Sequence, residues 1–432
     1  MSPRGDLRAL PVLASGGGPR RRLPLADVTR EEDRAARPAY VVWELTLKCD
    51  LACVHCGSRA GKARPDELTT AEALRLVDEI AALGTREVTL IGGEAYLHEG
   101  WLDVAGAIAR AGIRVGIVTG GQGMTAERAR QAKDAGVTSM SVSIDGLEAT
   151  HDHVRNKRGA HRTAMAAIAN VCAAGMTASA NTQITRRALR EIEPMFAALV
   201  EAGIASWQVS MTVPMGRAAD HPELLLQPWQ VLEVLPMIAR IHAHATAHGV
   251  MVFPGNDIGY FGPYEALLRE SAPGRHRASC SAGRQTMGIE ADGAIKGCPS
   301  LPSRDYVGGS IRDASLADIW ERAEPLRFTR GRTVASLWGY CRTCYYAETC
   351  LGGCSWTAHV LFGKIGNNPY CHHRALELLA EGKRETIAIV ERAPGVPFDH
   401  GRFACAIEDF PDDELARART LAASGSGWIS EA

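Results

Sequence analysis

Three cysteines fall within nine residues of the stretch KCDLACVHC, residues 48–56: Cys49, Cys53 and Cys56. A closed tetrahedral metal site takes four protein ligands. Three thiolates leave one corner for a distant ligand, a substrate or a cofactor. On a helix these positions would share one face, and three buried thiols would be an ordinary outcome. The neighbours Lys48, Asp50, His55, Gly57 and Ser58 instead have the composition of a loop. Zinc would lack a fourth ligand. An iron–sulfur cluster with one iron free of protein fits the count best.

A second group begins at Cys280 and continues through Gly293 and Cys298 to Cys341-x2-Cys344-x5-Cys350-x3-Cys354 and Cys371. Cys-x2-Cys pairs suit zinc ribbons. Seven thiolates could close one zinc site with three left over, or hold two iron–sulfur clusters, one fully ligated and one with a gap. Two of the 12 cysteines remain. Cys172 lies in the apolar stripe AIANVCAAG and reads as a packed thiol. Cys405, in RFACAIED, reads as structural, with a hydrogen-donor role as its functional option. His242, His244 and His248 could imitate a metal site but read as a solvated helix face.

Bulk composition narrows the classes. The 48 basic and 49 acidic residues give a net charge of −1, which offers no nucleic-acid footprint. No apolar run is long enough to span a bilayer, and LRALPVLA (7–14) is too short for a signal peptide. The expected compartment is the cytoplasm, where cysteines serve as ligands or catalysts more than as disulfides.

Those residues need elements to position them. Residues 1–38, rich in Gly, Pro and Arg, read as a mobile arm. From residue 39, strand-like and helix-like stretches alternate six times: YVVWELTL, EVTLIGG, RVGIVTGG, SMSVSIDG, TASANTQITR and SWQVSMTVP each precede a helical pattern or follow one. Thr69 or Thr70 caps the first helix and Gly84 stops it. Such alternation signals parallel βαβ units, as an open sheet or an incomplete barrel, with chemistry at the carboxyl ends of the strands. The first cysteine loop follows strand 1 and lies at that end. The expected organisation is an α/β domain over 39–219, a bridging helix and connection over 220–275, a metal-stapled domain over 276–374 and a helical tail over 375–432. SGSG near residue 425 reads as a frayed end.

Two further features call for a reason. Gly92-Gly93-Glu94 ends strand 2, either as a plain turn or as bare backbone beside a carboxylate that could receive a cationic group. In strand 4, Ser141, Ser143 and Asp145 share one face, and Asn181 and Gln183 repeat the alternation on strand 5. A polar face inside a parallel sheet needs a reason of its own.

The Cys-x3-Cys-x2-Cys spacing after the first strand resembles the radical S-adenosylmethionine (SAM) superfamily. The match covers roughly residues 40–216, with Ala95 where the family usually has Pro. The resemblance implies a partial (β/α)6 TIM-type barrel and a [4Fe–4S] cluster on Cys49, Cys53 and Cys56. The free iron of that cluster chelates SAM and cleaves it to a 5′-deoxyadenosyl radical. It also implies roles in SAM binding for His55 near the adenine, Gly92, Gly93 and Glu94 at the ammonium, Ser143 and Asp145 at the ribose and carboxylate, and Arg155 at the carboxylate; Asn181 is a weaker contact. The second group resembles the SPASM domain. That resemblance implies two auxiliary [4Fe–4S] clusters, one on Cys341, Cys344, Cys350 and Cys371, the other on Cys280, Cys298 and Cys354 with its fourth corner unassigned. The largest branch of the family modifies ribosomally made peptides by crosslinking, epimerisation or oxidation. The expected partners are a peptide, a separate leader-binding protein and an electron donor of flavodoxin or ferredoxin type. The alternatives are a tetrapyrrole side chain, a residue of a partner enzyme, and, from a different class, a non-catalytic zinc scaffold.

Overall fold

The computed structural model describes residues 36–269 and 280–423. The expected arm up to residue 35 and the SGSG end lie outside the described residues.

The expected alternation forms. Strands β1 (Tyr40–Glu44), β2 (Glu87–Ile91), β3 (Arg114–Thr119), β4 (Val137–Ser143), β5 (Thr177–Ile184) and β6 (Ser206–Met211) pair in parallel in sequence order. Helices α1 (Thr70–Ala82), α2 (Trp101–Arg110), α3 (Ala126–Asp134), α4 (Glu148–Val154), α5 (Ala160–Ala173) and α6 (Ile192–Glu201) make the crossovers. Thr69 caps α1 in a reciprocal box with Glu72, and Gly84 follows its end with φ +75°. The apolar faces of these helices meet Val41, Trp43, Val88, Leu90, Val115, Ile117, Met140 and Val142 in one continuous core.

The sheet is wider than six strands. Helix α7 (Val231–Ala247) leads into β7 (Met251–Pro254), which pairs in parallel with β6. On the other edge, β8 (Thr286–Ile289) of the cysteine-rich region pairs in parallel with β1, and β9 (Ala294–Lys296) and β10 (Val307–Ser310) continue it antiparallel. MVFP is four residues long, too short for alternation to declare a strand. The second domain therefore grows out of the barrel sheet itself.

HDHVR lies in α4, which covers His151 to Val154 and ends at Arg155. One other expectation is corrected. The tail is not wholly helical. After helix His372–Ala380 comes an antiparallel hairpin, β11 (Lys383–Glu391) and β12 (Arg402–Asp409), before helix Asp412–Ala423. Thr386, Ile387, Ile389 and Val390 supply the β-branched residues that favour an extended chain there.

Candidate active site

The first cysteine loop crosses the carboxyl end of the sheet. It is pinned where Leu47 O accepts from Gly61 N (2.8 Å) and Gly61 O from Cys49 N (3.1 Å). Arg217 straps it from outside, with Nε to Cys53 O at 2.7 Å and both terminal nitrogens to Ala60 O at 3.1 and 3.2 Å. Each thiol faces an N–H donor: Leu51 N to Cys49 Sγ (3.4 Å), Arg155 Nη1 to Cys53 Sγ (3.6 Å) and Ala60 N to Cys56 Sγ (3.4 Å). Such donors stabilise thiolates over thiols. Burial works against them: it pushes Cys49 up to about 12 and raises Cys53. A bound cation is what would make this pocket of thiols ionise.

The glycines of Gly92-Gly93-Glu94 answer to that loop. A Cβ on Gly92, whose φ is +151°, would lie 2.2 Å from Thr46 O; one on Gly93 would lie 2.1 Å from Lys48 O and 2.8 Å from Cys49 Cβ. Bare backbone lets the end of β2 lie directly on the cysteine loop, with Gly93 N donating to Thr46 O (2.7 Å) and Glu94 N to Lys48 O (2.8 Å). Glu94 is buried, and its oxygens accept from Thr119 Oγ1 (2.7 Å) and Gly120 N (2.6 Å). Burial lifts its carboxyl to about 7 despite those bonds. A cation arriving beside it would ionise it.

Asp145 is placed differently from the expectation of a direct ligand contact. It is fully buried and lies behind the cavity wall. Its Oδ2 meets Arg155 Nη2 at 2.5 Å and His55 Nε2 at 3.2 Å, and its Oδ1 accepts from Gln183 N at 2.9 Å. Burial would raise the Asp145 carboxyl, but Arg155 and His55 hold it well below the usual carboxylate range. Asp145 therefore aims Arg155 and His55, which do line the cavity.

That cavity, about 1260 Å³, spans the barrel mouth. Ser143, Asn181 and Gln183 line it as the alternation predicted, whereas Ser141 does not. Gln208, Ser210 and Thr212 extend the polar stripe onto β6 and beyond. SWQVSMT alternates just as strand 4 does, so the same signal could have found them. Sequence reasoning also missed Met215, Trp356 and Phe398, brought to the wall from distant segments, with Trp356 Nε1 3.0 Å from Met215 Sδ. Near the far wall, Asp257 Oδ2 accepts from Met211 N at 2.6 Å, and burial raises its carboxyl to about 6.

The second cysteine group divides in two. Cys280, Cys298 and Cys354 line the same cavity as Cys49, Cys53 and Cys56. Cys341, Cys344, Cys350 and Cys371 line a separate small pocket with Phe261, Tyr340, Tyr346 and His373. Burial pushes Cys298 up to about 11 and Cys371 up to about 12. A guanidinium stands by each set. Arg332 donates to Ser355 Oγ (2.7 Å), which donates to Cys280 Sγ (3.6 Å). Arg374, close enough to favour ionisation of Cys341 and Cys371, is bound to Asn367 and Glu385. Tyr260 lies between the sets: it lines the cavity, and its carbonyl accepts from Cys371 Sγ at 3.6 Å.

The remaining candidates fall elsewhere. Cys405 sits on β12 beside Glu385, away from the cavity, so a hydrogen-donor role there has no geometric support. Cys172 is exposed rather than packed, its Sγ 3.8 Å from Gly203 O. His244 on α7 and His248 just past its end are exposed, whereas His242 reaches the cavity.

Comparison with known proteins settles the family. The Radical SAM superfamily model matches residues 43–185, and SPASM, an iron–sulfur cluster-binding domain, matches residues 280–345. The chain is 31% identical over 358 residues to an AdoMet-dependent heme synthase of Methanosarcina barkeri, covering 78% of this chain and 97% of that one. The chain belongs to the radical SAM superfamily. It is also 28% identical over 319 residues to the mycofactocin maturase MftC of Mycobacterium ulcerans, covering 73% of this chain and 83% of the relative. The crystal structure of Streptococcus suis SuiB bound to its precursor peptide SuiA shares the fold, with a TM-score of 0.61 at 14% identity over 78% of this chain and 76% of that one. As a radical SAM enzyme with a SPASM domain, the protein uses SAM and iron–sulfur clusters. Its residues suit that ligand: buried His55 Nδ1, Arg155 Nε and Asn181 Oδ1 have no hydrogen-bond partner within the protein, and all three residues line the cavity beside Glu94. Among the described residues no helix is long and apolar enough to cross a membrane.

Proposed function

We propose that this radical SAM enzyme oxidatively modifies a ribosomally made peptide in the cavity between its first and second cysteine groups. The observation that carries the reading is the shared cavity. Cys49, Cys53 and Cys56 face Cys280, Cys298 and Cys354 across one chamber. A substrate placed there could lose a hydrogen atom on one side and an electron on the other. When bound, the first cluster supplies the electron that splits SAM into methionine and a 5′-deoxyadenosyl radical.

The protein's own residues do the positioning. Cys49, Cys53 and Cys56 would hold three irons of a cluster and leave one for SAM. Glu94 receives the ammonium, and Arg155, aimed by Asp145, the carboxylate. His55 would lie near the adenine and Ser143 near the ribose, with Asn181 a further contact from the cavity wall. Cys341, Cys344, Cys350 and Cys371 form a closed four-thiolate site remote from the substrate. Cys280, Cys298 and Cys354 form an incomplete one beside it, giving two auxiliary [4Fe–4S] clusters. Trp356, Met215 and Phe398 supply an apolar wall for side chains. The peptide class is supported by the named activity of MftC and by the fold shared with the peptide-bound SuiB. A separate leader-binding protein and a flavodoxin or ferredoxin complete the reading.

A second reading has its own support. The heme synthase relative is 31% identical and is covered almost end to end, which favours a tetrapyrrole side chain. One experiment separates the two. The reconstituted enzyme, SAM and reductant are incubated with short peptides encoded beside the gene, or with iron tetrapyrroles bearing carboxylate side chains, and products are weighed by mass spectrometry. A peptide mass change with matching 5′-deoxyadenosine supports the first reading. Turnover of the tetrapyrrole alone overturns it.

A further inference from the structure

We infer that Asp305, His359 and His400 form a zinc site that ties the C-terminal hairpin to the SPASM domain. The three come from separate elements: the short helix Ser303–Tyr306, the helix Ser355–Phe362 and the loop just before β12. One donor atom from each lies within 4.8 Å of the other two. His359 Nε2 stands 3.4 Å from Asp305 Oδ2. Two ligands of tetrahedral zinc, with bonds of about 2.0–2.1 Å, are separated by roughly that distance.

The outer contacts suit metal ligation. His400 Nδ1 faces Gly401 O at 2.7 Å, so that nitrogen carries the proton and Nε2 is left with its lone pair. His359 Nδ1 is 3.0 Å from the Tyr306 hydroxyl, which can accept its proton and so leave the Nε2 lone pair for a metal. Metal-binding imidazoles characteristically commit their second nitrogen in this way. The independent observation is His359 itself. Its residue is 5% exposed, and Nε2 is buried with no hydrogen bond closer than the 3.4 Å ion-pair approach of Asp305 Oδ2. An unpartnered buried nitrogen is costly unless something fills the place of its partner. Two imidazoles and a carboxylate, with Asp305 on the solvent side leaving room for water, are a donor set zinc accepts. His359 and His400 lie outside both regions that match the family models.

The location gives the site a purpose. The hairpin loop that carries His400 also places Phe398 on the cavity wall and Asp399 against Arg59 of the first cysteine loop, 2.7 Å from its Nε. Within that loop Asp399 Oδ2 caps Gly395 and Val396. A metal at His400 would fix the loop to the helix that starts beside Cys354, and with it one wall of the chamber. The inference rests on this geometry and not on the choice of substrate.

The test uses cluster-reconstituted protein freed of adventitious metal, titrated anaerobically with zinc chloride. Asp305→Asn and His400→Gln are the comparison variants, since both side chains are at least partly exposed and the fold is checked by circular dichroism. The wild type should bind one more zinc per chain than either variant, or bind it at least tenfold more tightly. X-ray absorption at the zinc edge should show nitrogen and oxygen ligands with imidazole scattering. Zinc should slow proteolysis between residues 392 and 400 in the wild type only. Equal zinc binding in all three proteins, or a shell of sulfur ligands, would overturn the site and leave His359 and Asp305 as an ion pair.

Discussion

Substituting Gly93 by alanine should empty the first cluster site without replacing any of its ligands. The new Cβ would lie 2.1 Å from Lys48 O, 2.5 Å from Lys48 C and 2.8 Å from Cys49 Cβ. Two of these atoms are backbone, so no flexible side-chain end can swing away. The cysteine loop must retreat by about 1 Å to reach van der Waals contact. Overpacking of this kind costs about 1–3 kcal/mol. The retreat also strains the bond from Glu94 N to Lys48 O, 2.8 Å long, and a buried amide left unpaired costs a further ~1–3 kcal/mol. The sum, roughly 2–6 kcal/mol, falls on the loop that holds three thiols, and 1.4 kcal/mol is a factor of ten in an equilibrium constant. Cluster retention under a chelator should therefore drop by at least about tenfold. Gly84→Ala is the control, since its φ is +75° with nothing near the added carbon, so it carries only local strain of about 1–2 kcal/mol. The assay is iron and sulfide per chain after anaerobic reconstitution and a chelator challenge, with 5′-deoxyadenosine measured alongside. Gly93→Ala should lose the iron of one cubane cluster, about four per chain, and all SAM cleavage; Gly84→Ala should keep both. Full iron and full cleavage in Gly93→Ala would refute the packing argument.

Glu94→Gln should weaken SAM binding at unchanged iron content. In the wild type, affinity should rise with pH up to about 7, where the Glu94 carboxyl ionises, and level off above it; calorimetry should find that slope missing in the variant. Asp145→Asn leaves Arg155 buried beside a neutral partner, a loss of about 3–5 kcal/mol for a broken buried pair. Cleavage of SAM should fall by more than tenfold while all three cysteines of the first loop keep their iron, and wild-type cleavage would return Asp145 to a packing role. Cys344→Ala should lower the melting temperature because metal binding and folding are coupled. Cys298→Ala should hurt product formation more than melting, and uncoupled 5′-deoxyadenosine should survive in both; full turnover in Cys298→Ala would remove the incomplete cluster from the chemistry.

What could be read in the sequence follows the physics of each signal. Strand–helix alternation and glycine stops depend on local periodicity, so β1 to β6 and most of their helices were legible before any coordinates. The cysteine spacings were legible because ligand chemistry restricts residue type. The partition of the second group into a cavity set and a pocket set matches the pairing implied by the SPASM resemblance. The edge strand β7 was not legible, because four residues decide nothing without the neighbour they pair with, and the parallel pairing of β8 with β1 was not legible either. The β11–β12 hairpin was hidden by helical patterns on both sides. The family resemblance implies a SAM contact for Asp145, and only the fold reveals that Arg155 and His55 stand between it and the cavity. Phe398, Trp356 and Met215 lie far apart in sequence and carried no local signal.

The central claim is that Cys49, Cys53 and Cys56 build a cluster that cleaves SAM reductively. The most direct measurement is 5′-deoxyadenosine and methionine released under anaerobic reduction by the wild type and by the Cys49→Ala, Cys53→Ala, Cys56→Ala triple variant. The account predicts equal amounts of the two products from the wild type and none above background from the variant, whose remaining iron stays with the other seven cysteines. Product from the triple variant at the wild-type rate would contradict it.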